Sequence, residues 1–323
     1  MPAGPLDSEQ AFLDLIDACF PTRHAHMLLG RGDDCALLAT PPALCLSTDL
    51  FLEHAHFKRD YFTPFDIGHK ALAVNLSDLA GMGVKPLGFS LGLMAPHTLD
   101  RAFWKELFTG MAALAERYDL PLTGGDLSRA EVIGLCITVW GEPGVSGRVL
   151  RRQACLENDV LFLCGEIGMG RAGLMALEDT GRKAMKTHPK ACEAHLRPQP
   201  RIIEGLALTE TDGVRGAMDV SDGLAQDLPR FLGPTLGADL EIAPSMLHPE
   251  VLAYCGPAGL DPVQFAMLGG EDFCLLGVVS SDDWDELVKK LPLAHLIGQV
   301  RKEPGLRLNG KPFTLAGFDH FAA

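Results

Sequence analysis

Six short acidic stations recur along the first 272 residues: Gly32-Asp33-Asp34, Ser47-Thr48-Asp49, Asn75-Leu76-Ser77-Asp78, Gly124-Gly125-Asp126, Asp219-Val220-Ser221-Asp222-Gly223 and Gly269-Gly270-Glu271-Asp272. Each joins one or two carboxylates to Gly, Ser, Thr or Asn and sits beside an apolar run. No single station could build a site, but together they could line one acidic cleft. Two unit charges ~4 Å apart repel by roughly 4 kcal/mol at an effective dielectric of ~20. Converging carboxylates therefore call for cations, and hard oxygen ligands select Mg²⁺ or a similar ion. Glycines that let backbone N–H groups approach a phosphate, beside acids that hold a bridging ion, point to phosphate chemistry.

The elements that must position these acids follow from the surrounding pattern. Thr63-Pro64-Phe65-Asp66 reads as a helix start, with Thr as N-cap, Pro at the first helical position and an acid at the third. The helix runs on to Gly81 or Gly83. Ala71, Asn75, Asp78 and Met82 share one face of it, while Leu72, Val74, Leu76 and Leu79 make the neighbouring faces apolar. A carboxylate in such surroundings must find a partner, which favours Asp78 as a metal ligand. Asp49 and Asp126 read as acids that follow strands, at residues 44–48 and 122–125, where an ordinary turn would also use them. Further strands are predicted over 36–38, 43–46, 132–140 and 160–164. Helices are predicted over 99–118, on Phe103, Leu107, Met111, Leu114 and Tyr118, and near 284–291. An extended connector is predicted over 195–201. The Gly- and Pro-rich residues 141–147 divide the chain into two expected domains, 1–143 and 144–323.

Composition sets the class. Of 323 residues, 47% are hydrophobic and 22% charged, as in a soluble globular protein, and the net charge of −14 argues against a nucleic-acid partner. The opening residues show no charged-then-apolar leader and no apolar run reaches the ~20 residues of a membrane span, so a cytoplasmic protein without a membrane partner is expected. The nine dispersed cysteines contain no Cys-x-x-Cys pair and read as small buried hydrophobes.

Three local patterns carry less than they suggest. Gly168-x-Gly170-x-x-Gly173 matches the dinucleotide fingerprint but lacks the second strand with its acid about 20 residues on. It reads as a strand-to-helix turn that could lie near phosphate. Asp219 to Gly223 lacks the spacing of a calcium loop, and His54-x-His56 has no second pair to complete a transition-metal site. The P-loop pattern and the protein-kinase set are both missing.

Taken in order, eight blocks resemble the thiamine-monophosphate kinase family, of the superfamily that includes aminoimidazole ribonucleotide synthetase. They are GDDCALL (32–38), STDLFLEHAHF (47–57), HKALAVNLSDLAGMGVKP (69–86), GGD (124–126), HLRPQPR (195–201), DVSDGLAQDL (219–228), GGEDF (269–273) and GFDHF (317–321). The resemblance implies an α/β, two-domain aminoimidazole ribonucleotide synthetase-like fold: an N-terminal sheet domain that binds ATP and Mg²⁺ and dimerises, and a C-terminal α/β domain. It implies Mg-assisted transfer of phosphate from ATP to thiamine monophosphate, giving thiamine diphosphate, in a homodimer.

By motif position, the metal ligands it implies are Asp34, Ser47, Thr48, Asp49, Asp78, Asp126, Asp219 and Asp222. Nucleotide contacts fall on Gly125, Asp126, Arg152 and Ser221, and thiamine phosphate contacts on His56, Glu271 and Phe318. No acid or base is implied, because the acceptor is already an ionised phosphate oxygen. The sequence departs from the family where Phe318 stands for Tyr or Trp, Leu127-Ser128 for Thr-Thr, and Cys274 for Glu. Another ATP-dependent member of the superfamily, or a catalytically silent Mg-nucleotide sensor, would carry the same acids.

Overall fold

The computed structural model describes Leu6 and residues 8–314, so Phe318 and the GFDHF block lie outside the described residues. The chain forms two compact units. The first takes the described residues up to Leu79 together with Lys85–Pro143; the second takes Ala80–Val84 and the described residues from Gly144.

In the first unit the order is α1 (Glu9–Cys19), β1 (Met27–Leu29), β2 (Leu37–Leu38), β3 (Cys45–Leu52), α2 (Pro64–Gly81), β4 (Val84–Ala95), α3 (Arg101–Arg117), β5 (Leu122–Arg129) and β6 (Gly134–Pro143). β3, β6, β4 and β5 form a four-stranded sheet in that order; β3 runs antiparallel to β6 and β4 parallel to β5. Alternation sorts the strand residues onto two faces. Phe51, Leu135, Ile137, Val139, Phe89 and Leu91 face a buried core, whereas Leu46 and Leu50 are 62% and 53% exposed on the other side.

α2 starts at the expected cap. Thr63 N–H donates to the Asp66 carboxylate at 2.9 Å, and Asp66 N–H donates back to Thr63 Oγ1 at 3.2 Å. This reciprocal pair satisfies two of the orphan donors at the helix end. Thr63→Ala is therefore expected to cost about 1 kcal/mol, measured as a lower urea midpoint at unchanged m-value. Beyond the cap the helix is almost wholly enclosed, with Ile67, Ala71, Leu72, Leu76, Leu79 and Ala80 at 0–2% exposure. It crosses α3 at backbone contact. A Cβ on Gly68 would stand 1.9 Å from the Leu107 carbonyl oxygen, and one on Gly110 would stand 2.1 Å from that of Phe65.

α3 is capped by Asp100, whose carboxylate accepts from Phe103 N–H at 2.8 Å. Its buried stripe is Trp104, Leu107, Phe108, Met111, Leu114 and Ala115. Phe103 and Tyr118, expected in that stripe, lie at its margin, because Trp104 and Phe108 offer the larger apolar faces one position along.

The second unit runs β7 (Val160–Cys164), α4 (Met169–Thr180), α5 (Pro189–Leu196), α6 (Ile202–Thr209), β8 (Val214–Asp219), α7 (Leu224–Leu232), β9 (Gly237–Leu240), α8 (Pro249–Ala258), α9 (Pro262–Met267), β10 (Leu275–Val279), α10 (Trp284–Lys290), β11 (Ala294–Arg301), β12 (Gly305–Leu308) and β13 (Lys311–Phe313). The seven strands order as β13-β12-β9-β11-β7-β10-β8, and all described pairings are antiparallel except β9 with β12. β7 and β10 are buried along their whole length, and apolar residues of α4, α7, α8 and α9 pack with the sheet into one core. His195 closes the last turn of α5 instead of opening an extended connector. No helix among the described residues is long and apolar enough to cross a membrane.

Candidate active site

In the first unit Ser47, Asp49, Asn75 and Asp78 come together around β3 and α2. Asp49 and Asp126, expected just after strands, lie inside β3 and β5. Polar residues on the inner face hide the strand period there. Ser47 Oγ donates to Asp78 Oδ2 in a short contact. Asp49 N–H donates to Asn75 Oδ1 at 3.1 Å, and Asn75 Nδ2 is turned by donating to the Ala71 carbonyl at 2.9 Å. Burial, reinforced by the charge of Asp78, pushes the Asp49 carboxyl up to about 6. Two carboxylates that resist being ionised together form a place where a cation is worth most.

Thr48 does not share this face. Its hydroxyl meets Thr138 Oγ1 at 2.7 Å on the side of Leu46 and Leu50. A one-residue step along a strand reverses the side chain, so Thr48 can reach the acids of α2 only through its backbone. Gly125 and Asp126 are exposed on the edge strand β5, level with Leu91 and Gly92 of β4. Asp34 is exposed, and its N–H donates to Asp33 Oδ1 at 2.8 Å.

His56 stands in a tight turn after β3. His54 has φ of 71°, His54 N–H donates to the Phe57 carbonyl at 2.8 Å, and buried Glu53 holds Arg59 and accepts from Ile133 N–H at 3.0 Å. His56 Nδ1 accepts from Leu52 N–H at 3.0 Å, and the ring stacks on Phe51 with centroids 5.8 Å apart. An accepting Nδ1 places the proton of the neutral ring on Nε2.

In the second unit β8 delivers buried Asp219 to its end, and the following turn presents Ser221 and Asp222. That turn is organised by Asp227, which sequence reasoning passed over. Its buried carboxylate accepts from Ser221 N–H at 3.0 Å and Asp222 N–H at 2.9 Å, while Arg230 reaches both Asp222 and Asp227. Burial raises the Asp227 carboxyl to about 6, against the pull of the donating amides and Arg230. Only its position within DVSDGLAQDL could have marked it. Arg152 is exposed, in the segment before β7.

Glu271 N–H donates to the Ser221 carbonyl at 2.7 Å, and its carboxylate lies 3.2 Å from His195 Nδ1. Asp272 accepts from Gly168 N–H at 2.7 Å and Gly170 N–H at 2.9 Å. The glycine-rich turn is thus the expected strand-to-helix turn, from β7 to α4, but a carboxylate of the chain itself fills the amide nest. A phosphate has no place there.

Among the described residues no group of three His, Cys, Asp or Glu side chains is arranged to hold a metal ion by itself. Pairs of carboxylates suit Mg²⁺ nonetheless, because that ion takes one or two from the protein and completes its octahedron with water and substrate phosphate.

The chain is similar to known proteins over most of its length. Residues 32–142 match the AIR synthase related protein N-terminal domain, and residues 157–311 match its C-terminal domain. A thiamine-monophosphate kinase of Bacillus subtilis (strain 168) is 35% identical over 311 residues, covering 90% of this chain and 91% of the relative. The crystal structure of a thiamine-monophosphate kinase from Stenotrophomonas maltophilia K279a superposes with a TM-score of 0.83 at 30% identity, covering 95% and 98% of the two chains. A structure of AaThiL complexed with AMPPCP and TMP superposes with a TM-score of 0.76 at 27% identity, covering 97% of each chain.

Proposed function

The chain belongs to the AIR synthase related family and to its thiamine-monophosphate kinases, and we infer that it transfers the γ-phosphoryl group of ATP to thiamine monophosphate, releasing ADP and thiamine diphosphate. The observation that carries this reading is the group Ser47, Asp49 and Asp78, two mutually repelling carboxylates and a hydroxyl on one face of the first unit. Such a group fits a reaction between two polyanions.

The acceptor is already an ionised phosphate oxygen, so no side chain has to remove a proton. The residues instead hold, align and neutralise. In this reading Mg²⁺, when bound, supplies the charge that lets the two phosphates approach. By motif position, Asp34, Ser47, Asp49, Asp78 and Asp126, with Thr48 through its backbone, are the ligands proposed in the first unit, and Asp219 and Asp222 those proposed in the second. Gly125, Asp126, Arg152 and Ser221 are assigned to the nucleotide, with Arg152 adding cationic stabilisation to the phosphates. His56 offers an Nε2 proton to thiamine phosphate. Glu271 offers a carboxylate, and Phe318 an aromatic face, to the cationic thiazolium ring. A panel of acceptors tests this assignment. Thiamine monophosphate should stimulate ADP release, while free thiamine and the acceptor of aminoimidazole ribonucleotide synthetase should not; stimulation by either of those instead contradicts it.

We also propose that the protein is a cytoplasmic homodimer built through the exposed face of the first unit's sheet. Leu46 and Leu50 on an edge strand form the kind of apolar surface that a second copy would cover. Leu50→Glu should convert a dimer into a monomer at micromolar concentration in sedimentation velocity. A wild-type protein that already sediments as a monomer would remove the proposal.

A further inference from the structure

Glu271 is held by two restraints that the assigned chemistry does not use, one on its backbone and one on its side chain. The backbone restraint comes from Asp272. Its carboxylate is fixed by the amides of Gly168, Met169 and Gly170 at the start of the twelve-residue helix α4. The residues on either side, Glu271 and Phe273, both adopt left-handed backbone conformations, with φ of 63° and 48°. Side-chain-bearing residues rarely take these conformations and keep them only where surrounding contacts over-determine the chain. Here the contacts are the amide nest on one side and a short ladder on the other, in which Glu271 N–H donates to Ser221 and Phe273 N–H to Val220 at 2.9 Å.

The glycines of the turn make this approach possible. A Cβ on Gly170 would stand 2.5 Å from the Glu271 carbonyl oxygen. The third glycine serves the other restraint: a Cβ on Gly173 would stand 2.0 Å from the Ala191 carbonyl oxygen and 2.9 Å from the His195 Cβ. α5 therefore lies against α4 at backbone contact, and its last turn brings buried His195 to 3.2 Å from the Glu271 carboxylate. The Gly-x-Gly-x-x-Gly run is thus a scaffold that fixes both the chain and the side chain of one glutamate.

We propose that Asp272 and His195 are positioning residues that pre-set Glu271 for the cationic ring of thiamine phosphate, an inference that rests on the substrate role assigned to Glu271 above. The backbone of Ser221 is separately anchored by Asp227, so the nucleotide side should be insulated from loss of either restraint.

Steady-state kinetics of four variants, each beside a melting curve, test this. Asp272→Asn keeps the shape but replaces one accepting oxygen by an amide NH2 that faces donors, and His195→Leu removes the imidazole. Each should raise the KM for thiamine monophosphate about tenfold, leaving the KM for ATP and kcat within about twofold. His195→Gln, which retains a donor, should recover most of the loss. Glu271→Gln serves as the reference and should raise the same KM. A Glu271→Gln enzyme with unchanged KM overturns the substrate role of Glu271 and the inference with it. If Glu271→Gln has its effect but Asp272→Asn and His195→Leu change both substrates equally or neither, the positioning role is overturned and the substrate role stands. Should one variant fail to fold, the other carries the same test.

Discussion

Asp78→Asn is expected to lower kcat at least about a hundredfold, equivalent to ~2.7 kcal/mol of transition-state stabilisation, without loosening the fold. Asn keeps the shape and an oxygen that accepts from Ser47 Oγ, so the packing of α2 against the sheet is preserved. What disappears is a negative charge; burial first, and then that charge, raise the Asp49 carboxyl to about 6. The variant should therefore melt no lower than wild type in the absence of metal. With Mg²⁺ added the order should reverse: wild type gains thermal stability by binding the ion, and the variant gains little. A variant that melts several degrees lower without metal, yet turns over normally with it, would make Asp78 a structural residue. The paired readout separates a carboxylate kept for function from one kept for the fold.

Gly110→Ala is expected to cost about 3 kcal/mol or more, at the top of the range for overpacking. The added methyl would sit 2.1 Å from the Phe65 carbonyl oxygen, a backbone atom at the start of α2 that no rotamer change can move. Alanine is otherwise the better helix former by nearly 1 kcal/mol, so propensity alone gives the opposite sign. Chemical denaturation measures the outcome directly. An unchanged or higher midpoint would show that α2 and α3 do not pack as closely as described, and with it would fall the placement of Asp78.

Much of the positioning machinery was legible in the residues. The Thr63 cap, the proline after it and the enclosed character of α2 follow from local rules, because each depends on neighbours within one turn. The faces were harder. Asp49 and Asp126 look like turn acids because Asp and Gly have low strand propensity, yet sheet pairing carries both strands through them. That pairing turns Thr48 away from Ser47 and Asp49, which a motif written as a string cannot express. Asp272 and Asp227 escaped for a related reason: their partners are backbone amides, in the case of Asp272 about a hundred residues away, and amides leave no mark in a sequence. The same blindness made the glycine-rich turn look open to phosphate when the chain's own carboxylate fills it.

The central claim is a direct phosphoryl transfer between two phosphates. Its most direct measurement incubates the purified protein with Mg²⁺, ATP and thiamine monophosphate and quantifies all products over time by chromatography with mass detection. Thiamine diphosphate and ADP should rise together at one to one, with no inorganic phosphate released and no product when ATP is omitted. ADP accompanied by inorganic phosphate and unchanged thiamine monophosphate would contradict the account.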